Sequence, residues 1–359
     1  MKNHANHFIR SFTDWLFRPR HPAVYLVRGG IALLFLLIAG WAFSVSIPTQ
    51  YGPFSIRFDS EGGTPTLISY CLLLLAIGLF VFAFVWYRTD QKRILRKKVI
   101  VVEARGLRDT GGTPLHEALP EKLEGHRDQV PLDLRQQVKD GVIIDPRAAL
   151  DKLISLPNDL KRRESDHDRR DITYVYGGLA SVPFTFLTGV LMDDEGPIVV
   201  MDWDRHTEKW RVLDGDDDGE RFTIIGNDAV QSCPMEIALA VSVSYRVDIS
   251  GVREKVVDMP VVEMVLASGS PDCHWSEDKQ KALGQQFLDL VIAFGNHGVK
   301  HVHLFLAAQN SVVFRFGRLY DKRNLPEITA YQYQREETPP YPWGIRMPVS
   351  GIEKPELVQ

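Results

Sequence analysis

The chain has 359 residues, a formal net charge of −4 and three cysteines. Lys and Arg predominate in the first 98 positions, so the remainder is acidic, and we expect no DNA or RNA partner because tracking a phosphate backbone needs a basic surface. The cysteines show no CxxC spacing, which excludes a zinc motif of that type and a disulfide framework.

Two uncharged apolar runs, residues 29–47 and 62–87, stand near the start of the chain. A helix needs about 20 apolar residues to cross the hydrocarbon core of a bilayer, and both runs are close to or above that length. Basic residues flank the pair on both sides, whereas the segment between the runs holds few. By the positive-inside rule we predict a two-helix transmembrane hairpin with both termini in the cytoplasm.

The next part of the chain alternates between predicted strands and helices. Asp145 and Pro146 are a typical helix start, and we expect that helix to end before Pro157. The charged run 161–170 is typical of a solvated connector. Further helices are predicted over 181–191, 250–257 and 311–320 and after Ser276; strands are predicted over 99–105, 171–176, 198–203, 209–213, 235–247, 261–267, 299–306 and 328–333.

This alternation predicts an α/β fold with a mostly parallel sheet, because strands joined through helices form right-handed βαβ units. The pattern is clearer after residue 235, and the earlier part repeats it less regularly. We therefore expect two related Rossmann-like halves.

Motifs for enzymatic chemistry are missing from the sequence. It contains no P-loop, no GxSxG elbow and no HExxH helix, so we predict no catalytic residues, no cofactor and no enzyme activity. Asp272, Glu277 and Lys279 superficially resemble a nuclease signature, but the last two suit the first turn of a helix. His301 and His303 share one face of a strand, yet no third ligand is visible, so we predict no metal site.

The acidic run 214–219 begins like a calcium-binding loop. Ile225 occupies the twelfth position, where such a loop needs a glutamate. The run therefore favours an acidic hairpin turn, with calcium binding as the alternative.

Two strand-to-helix turns are candidate binding positions. Ligands of open α/β sheets bind beyond the carboxyl ends of the strands, where helix N-termini present amide groups. Small and polar residues at both turns suit the approach of a phosphate, although tight turns with helix caps need the same residue types. These residues are Gly177, Gly178 and Leu179 in one turn and Ala308, Gln309, Asn310 and Ser311 in the other.

The segment 301–334, HVHLFLAAQNSVVFRFGRLYDKRNLPEITAYQYQ, resembles the carboxy-terminal signature of SAVED domains. That signature reads HLF, a small-residue turn, a helix closing in Gly-Arg and a strand with a Tyr. Segments 174–178 and 239–246 look like further SAVED elements, whereas Gln309 stands where many members have proline. The resemblance implies two fused CARF-like halves, about 99–230 and 231–348.

Two membrane spans before such a domain resemble the two-transmembrane SAVED effectors of CBASS anti-phage systems. The expected segments are a cytoplasmic tail (1–28), the hairpin (29–87), a basic juxtamembrane linker (88–98), the SAVED domain (99–348) and a tail (349–359). The resemblance implies a multi-pass protein of the bacterial inner membrane, in contact with lipid.

By the same resemblance, a CD-NTase-type nucleotidyltransferase makes a cyclic di-, tri- or tetranucleotide, the SAVED domain binds it and forms a homo-oligomer, and the spans damage the membrane in abortive infection. The alternative function is a membrane-anchored regulator that recruits a separate effector. In either case we expect Tyr176 or Phe184 to stack on a base. The further expected ligand contacts are Ser242, Ser244 and Arg246.

Overall fold

The computed structural model describes residues 22–38, 43–49, 52–58, 66–106, 113–134, 138–139, 142–143, 145–164, 167–193, 196–232, 234–351 and 354–359. It divides the chain into two compact units, Met1–Leu95 and Arg96–Gln359. Most of the predicted N-terminal tail lies outside the described residues.

The first unit contains two apolar helices and a β-hairpin between them. The helices are α1 (Pro22–Ile38) and α2 (Thr66–Arg96), and the antiparallel strands are β1 (Phe43–Thr49) and β2 (Gly52–Phe58). Gly30 lies against the Phe80 ring, which brings the two helices into contact. Among the described residues one helix, Ser69–Arg96, is long and apolar enough to cross a membrane, and its most apolar 18-residue window has a mean hydropathy of 2.4.

The first predicted span differs from the structure at both ends. Helix α1 begins at Pro22, before the predicted start at residue 29, and the end of the predicted run, from Phe43, lies in strand β1. In this part of the sequence Val45 and Ile47 alternate with Ser44 and Ser46. Alternating β-branched and polar residues favour a strand over a helix, which explains the difference.

The second unit begins with a five-stranded sheet in the order β4-β3-β7-β8-β9. The first four strands in this order are parallel and β9 is antiparallel to β8. The strands are β3 (Lys98–Arg105), β4 (His126–Asp133), β7 (Ile172–Leu179), β8 (Ile198–Asp204) and β9 (Lys209–Val212); a small separate pair is β5 (Val138–Lys139) and β6 (Val142–Ile143).

The second half of this unit is a seven-stranded sheet in the order β10-β12-β11-β13-β14-β15-β16. Its four central strands, β12 to β14 in this order, are parallel, and the outer three are antiparallel to their neighbours. The strands are β10 (Thr223–Ile225), β11 (Glu236–Ser242), β12 (Val261–Val265), β13 (His301–Ala307), β14 (Glu327–Gln332), β15 (Trp343–Arg346) and β16 (Glu356–Val358).

The two sheets repeat one topology. In each sheet, the first parallel strand in chain order lies between the second and the third. The fourth strand lies beside the third, and an antiparallel strand lies beside the fourth. Thus β3, β4, β7 and β8 correspond to β11, β12, β13 and β14. The structure therefore contains the two related halves that the sequence predicts.

Helices cover the faces of the sheets. They are α3 (Pro146–Ile154), α4 (Leu156–Glu164), α5 (Val182–Leu191), α6 (Ile249–Lys255), α7 (Glu277–Asn296) and α8 (Asn310–Arg318), with 3₁₀ turns at Arg169–Asp171 and Asn227–Ser232. One hydrophobic core runs through both halves and includes Tyr176, Phe186, Phe287 and Phe314. The helices α5 and α8 follow the corresponding strands β7 and β13 and pack against each other.

Local signals account for most helix starts. Asp145 accepts hydrogen bonds from the amides of Arg147 and Ala148 at the start of α3, and Ser276 accepts one from Lys279 at the start of α7. The predicted end before Pro157 is only partly right, because a second helix, α4, carries Pro157 in its first turn and continues to Glu164. Proline is tolerated there since its missing N–H has no partner in a first turn.

Candidate functional site

Two corresponding strand-to-helix turns meet in the second unit. One turn joins β7 to α5 and the other joins β13 to α8. The Asn310 side chain links them, because its Oδ1 accepts hydrogen bonds from the Ala180 amide at 3.1 Å and from Thr185 Oγ1 at 2.7 Å. The carboxyl ends of the third strand of each half are thereby held side by side.

A cleft of about 200 Å³ lies at this meeting point. It is lined by both turns, by the end of β8 and by the loop before α7. The lining residues are Leu179, Ala180, Ser181, Val182, Asp202, Trp203, Arg205, Pro271, Asp272, His274, Trp275, Ala308, Gln309, Asn310 and Gln332.

The N-cap residues of α5 and α8, which both line the cleft, each carry a buried polar atom without a hydrogen-bond partner. Ser181 is the N-cap residue of α5 but its hydroxyl makes no capping bond, and that hydroxyl is buried without a hydrogen-bond partner. The Oε1 atom of Gln309, the N-cap residue of α8, is also buried and without a partner. Buried polar atoms normally have partners, and the positive end of a helix dipole favours anions, so the Ser181 hydroxyl suits an anionic group of a ligand, whereas Gln309 Oε1 suits a hydrogen-bond donor.

The start of α8 already holds a carboxylate. Asp202, at the end of β8, is buried, and its Oδ2 accepts a hydrogen bond of 3.0 Å from the Ser311 amide. The same oxygen lies 3.6 Å from Nε2 of His274, whose pKa is lowered by burial. The carboxylate occupies the position that an anion would take at Ser311, so a ligand group beside it suits this site as a hydrogen-bond donor.

Two tryptophan side chains, Trp203 and Trp275, and the cation Arg205 also line the cleft. Trp203 and Trp275 are half-buried, and Arg211 stacks over the Trp275 ring at 4.7 Å from its centroid. Arg205 is exposed and donates to the Tyr245 hydroxyl at 3.3 Å. Half-exposed rings of this kind provide faces on which a planar base can stack.

The structure places Tyr176 and Phe184 elsewhere. Both side chains are buried, with 0% and 1% of their surface exposed. Tyr176 stacks on Phe314 at a centroid distance of 3.7 Å, and Phe184 packs against Trp343 at 5.4 Å. In this structure both rings therefore belong to the core and not to the cleft.

Gly177 and Gly178 lie within β7 and not in an open turn. A Cβ at Gly177 would come within 2.9 Å of the Leu115 side chain, and one at Gly178 would meet the Tyr176 hydroxyl. Both glycines are buried, so they permit close packing at this strand end. The last residue of β7, Leu179, does line the cleft, and the turn itself starts at Ala180.

The remaining predicted contacts do not line the cleft. Ser242 Oγ accepts a hydrogen bond from the Val247 amide, and Ser244 Oγ donates to the Ala307 carbonyl at 3.4 Å. Ser311 Oγ accepts one from Gln280 Nε2 at 2.9 Å, and Arg246 is exposed outside the lining. Of the twelve residues predicted, Leu179, Ala308, Gln309 and Asn310 lie together at the cleft.

Sequence analysis did not identify Asp202, Arg205 or His274. Asp202 lies near the carboxyl end of a predicted strand, which is a detectable signal for a site at a sheet edge. His274 and Trp275 belong to the loop before α7, and their approach to the other half depends on how the two halves pack.

Two family models match the chain. The model of the SAVED domain, the SMODS-associated sensor domain that is fused to various effectors, matches residues 156–347. The model of the SAVED-fused 2TM effector domain matches residues 2–150. No curated protein matches the chain.

Solved receptors with a SAVED/CARF domain are similar in structure at low sequence identity. The Acinetobacter baumannii Cap4 receptor with the cyclic trinucleotide 2′3′3′-cAAA is 10% identical, with a TM-score of 0.47 over 79% of this chain and 58% of that chain. The same receptor with 3′3′3′-cAAA is 14% identical, with a TM-score of 0.44 over 79% of this chain and 59% of that chain. The Moraxella osloensis Cap4 receptor is 11% identical, with a TM-score of 0.41 over 76% of this chain and 54% of that chain. The chain thus spans less than two thirds of the length of these receptors.

The SAVED match covers more than half of the chain and includes β7, β13 and both turns of the cleft. The effector match covers the two apolar helices and continues to β3 and β4 of the first sheet, in which β3 lies between β4 and β7. This protein belongs to the SAVED family and carries an N-terminal SAVED-fused 2TM effector domain.

Proposed function

We propose that this protein is a membrane-anchored CBASS effector that binds a cyclic oligonucleotide at the cleft between the two halves of its SAVED domain. The observation that carries this proposal is the meeting of two corresponding turns, joined by the bonds from Ala180 and Thr185 to Asn310. A ring of repeated nucleotide units suits a site in which two related halves face one ligand. The cyclic trinucleotides of the solved Cap4 receptors belong to the same chemical class.

In this proposal the cleft residues have separate roles. Ser181 and the first turn of α5 bind a phosphate, and Arg205 at the exposed side adds a charge-assisted contact. Trp203 and Trp275 stack on bases, each stacking contact contributing about 1–3 kcal/mol. Asp202 accepts a hydrogen bond from an amino or hydroxyl group of the ligand.

The membrane part acts through assembly. A two-helix hairpin encloses no aqueous path, because its lipid-facing surface is apolar and it has no polar lumen. Tethering to one plane raises the local concentration of the sensor domains, so a weak contact between ligand-bound copies suffices for oligomerisation. Clustered spans then disrupt the inner membrane and cause abortive infection. A CD-NTase-type nucleotidyltransferase supplies the ligand.

Dye release from vesicles tests this function. The full chain is placed in vesicles with an entrapped dye, and cyclic di-, tri- and tetranucleotides are added one at a time. We expect one ligand to release the dye and to increase the size of the protein assembly, while vesicles without protein stay intact.

The alternative function, a membrane-anchored regulator, predicts a different result. A ligand that binds and assembles the protein without dye release would support recruitment of a separate effector. Equal release with and without every ligand would contradict a ligand-gated effector.

A further inference from the structure

A cluster of two histidines and one glutamate lies at the amino ends of the parallel strands of the second sheet. Glu236 is the first residue of β11 and His301 the first of β13, and the register pairs them directly. His303 follows on the same face of β13. The cleft described above lies at the carboxyl ends of the strands, so this cluster is a separate feature at the opposite edge.

The three side chains converge. His303 Nε2 lies 3.2 Å from Glu236 Oε2, and the rings of His301 and His303 have centroids 4.2 Å apart. One possible ligand atom from each residue lies within 4.8 Å of those from the other two. Sequence analysis found no third ligand, because Glu236 is 65 positions before His301 and reaches it only through strand pairing.

The neighbouring strand β14 fixes both imidazole rings. His301 Nε2 is hydrogen-bonded to Thr329 Oγ1 at 2.8 Å, and His303 Nδ1 to the Tyr331 hydroxyl at 2.9 Å. Each ring therefore has one nitrogen held by a hydroxyl group, which leaves His301 Nδ1 and His303 Nε2 for the cluster. Metal-binding histidines have this arrangement, in which a hydrogen bond to the second nitrogen orients the ring.

The surroundings suit a cation with nitrogen ligands. The side chains of His301 and His303 are mostly buried, with 12% and 11% of their surface exposed. Glu236 is half-exposed, which gives an ion access from solvent. Glu327 lies 3.7 Å from His301 Nδ1 and adds a second carboxylate, while Arg346, 3.8 Å from Glu327, opposes a cation.

We propose that Glu236, His301 and His303 form a binding site for one divalent transition-metal ion of the zinc class. Two imidazoles and a carboxylate are a donor set of zinc sites that keep a position open for water. Ions such as Mg²⁺ and Ca²⁺ prefer sites made only of oxygen atoms and bind here more weakly. An ion at this position joins β11 to β13 and stabilises the second half of the sensor domain.

Metal titration of the purified full chain in detergent tests this site. The protein carries no affinity tag, is stripped with chelator and is titrated with Zn²⁺, while its thermal unfolding is followed and its metal content is measured after dialysis. Co²⁺ serves as a spectroscopic probe, because its visible absorption bands report bound nitrogen ligands.

We expect about one Zn²⁺ per chain, a higher unfolding temperature with Zn²⁺ than with Mg²⁺, and Co²⁺ bands. Glu236→Gln, which changes a half-exposed side chain, should weaken binding about 10–100-fold or more, as should His301→Gln. His297→Gln is the control, because His297 is exposed and outside the cluster. Less than about 0.1 ion per chain, or equal Zn²⁺ affinity in the parent and both cluster variants, would overturn the proposal.

Discussion

The side chain of Asn310 crosses the boundary between the two halves of the sensor domain. Its single oxygen accepts from a backbone amide and a hydroxyl of the other half, and it also lines the cleft. Buried donors that lose an acceptor destabilise the fold by about 1–3 kcal/mol. The residue thus combines a structural and a proposed binding role, and two substitutions separate them.

Asn310→Ala should lower the unfolding free energy by about 1–3 kcal/mol, because the Ala180 amide and the Thr185 hydroxyl lose their acceptor. Asn310→Asp keeps an acceptor oxygen and places a negative charge at a helix N-terminus, so we expect parental stability. The same charge should repel a phosphate and weaken cyclic-oligonucleotide binding at least about tenfold. Urea unfolding and ligand titration check both variants; parental binding by Asn310→Asp would contradict a phosphate position beside it.

Lys279 in the first turn of α7 is a buried cation that contacts the acidic loop resembling the start of a calcium site. Its Nζ lies 2.7 Å from Asp218 and 3.0 Å from Glu220, and its side chain is 2% exposed. Its hydrogen bond lowers the pKa of Asp218. Burial raises the pKa of Glu220, but the bonds from Ser268 and Lys279 outweigh burial and lower it. The carboxylates of Asp218 and Glu220 are therefore paired with a cation of the protein itself, the Lys279 ammonium group.

The pH dependence of stability follows from these pKa values. Carboxyl groups with lowered pKa values bind fewer protons in the folded chain than in the unfolded chain. Their stabilising contribution is complete above about pH 4.3, the unfolded value, and is lost as the pH falls through the folded values.

Lys279→Met should therefore lower the unfolding free energy at pH 7 by about 1–3 kcal/mol, a moderate loss because Asp218 stays half-exposed. It should also flatten the decline in stability as the pH falls below the unfolded pKa values of about 4. Lys281→Met is the control, since Lys281 pairs with Glu277 on the surface and should change stability by less than about 1 kcal/mol. Urea unfolding of residues 96–359 at a series of pH values measures both; identical acid profiles for Lys279→Met and the parent would contradict the pairing.

At the scale of elements, the contact between α5 and α8 depends on two glycines. A Cβ at Gly189 would clash with the Phe314 carbonyl oxygen and lie 2.8 Å from the Arg318 amide, and one at Gly317 would clash with the Phe186 carbonyl. Both glycines occupy the eighth position of their helix, so the close approach follows the correspondence between the two halves.

Gly189→Ala tests this close approach. Helix propensity alone would stabilise the variant by about 1 kcal/mol, whereas overpacking against backbone atoms typically costs about 1–3 kcal/mol. We expect the packing cost to exceed the gain and the unfolding temperature to fall by several degrees. Gly196→Ala is the control, because a Cβ there has no atom within 4 Å. A stability increase in Gly189→Ala would show that the helices are further apart in solution.

Much of the second unit could be predicted from sequence. The strands and helices after residue 235 follow clear patterns, such as the Ser276 cap and the helix Glu277–Asn296 that follows it. The site was harder to predict, since Asp202 meets Ser311 across 109 positions. Such contacts depend on strand order and on the packing of two halves, which no local pattern specifies. Tyr176 shows a second difficulty, because an aromatic residue near a site suits a buried core equally well, and the structure buries this ring.

At the scale of the whole molecule, the exposed apolar surface is concentrated on α2. Leu74, Val81 and Phe84 of this helix are each more than half exposed. Only 11% of its most apolar window is buried. An aqueous protein rarely exposes such a continuous apolar surface, whereas a lipid-facing helix requires one.

The orientation of the chain in the membrane is the prediction that belongs to this scale. In a background without native cysteines, we expect Ser60→Cys to react with a membrane-impermeant thiol reagent added outside intact cells. Ser250→Cys, on the exposed start of α6, should react only after the cells are opened. This result follows from the basic flanks of the two spans and the positive-inside rule. Labelling of Ser250→Cys in intact cells would place the sensor domain outside.

The two halves share a topology but not their side chains, and this difference gives the cleft a direction. One turn contributes Leu179, Ala180 and Ser181, and the other contributes Ala308, Gln309 and Asn310. Turning a bound molecule by half a revolution would exchange unlike neighbours, so its two orientations differ in energy. A receptor assembled from two identical chains has no such preference. Because both halves belong to one chain, the cleft presents different side chains to the two sides of a molecule that lacks twofold symmetry.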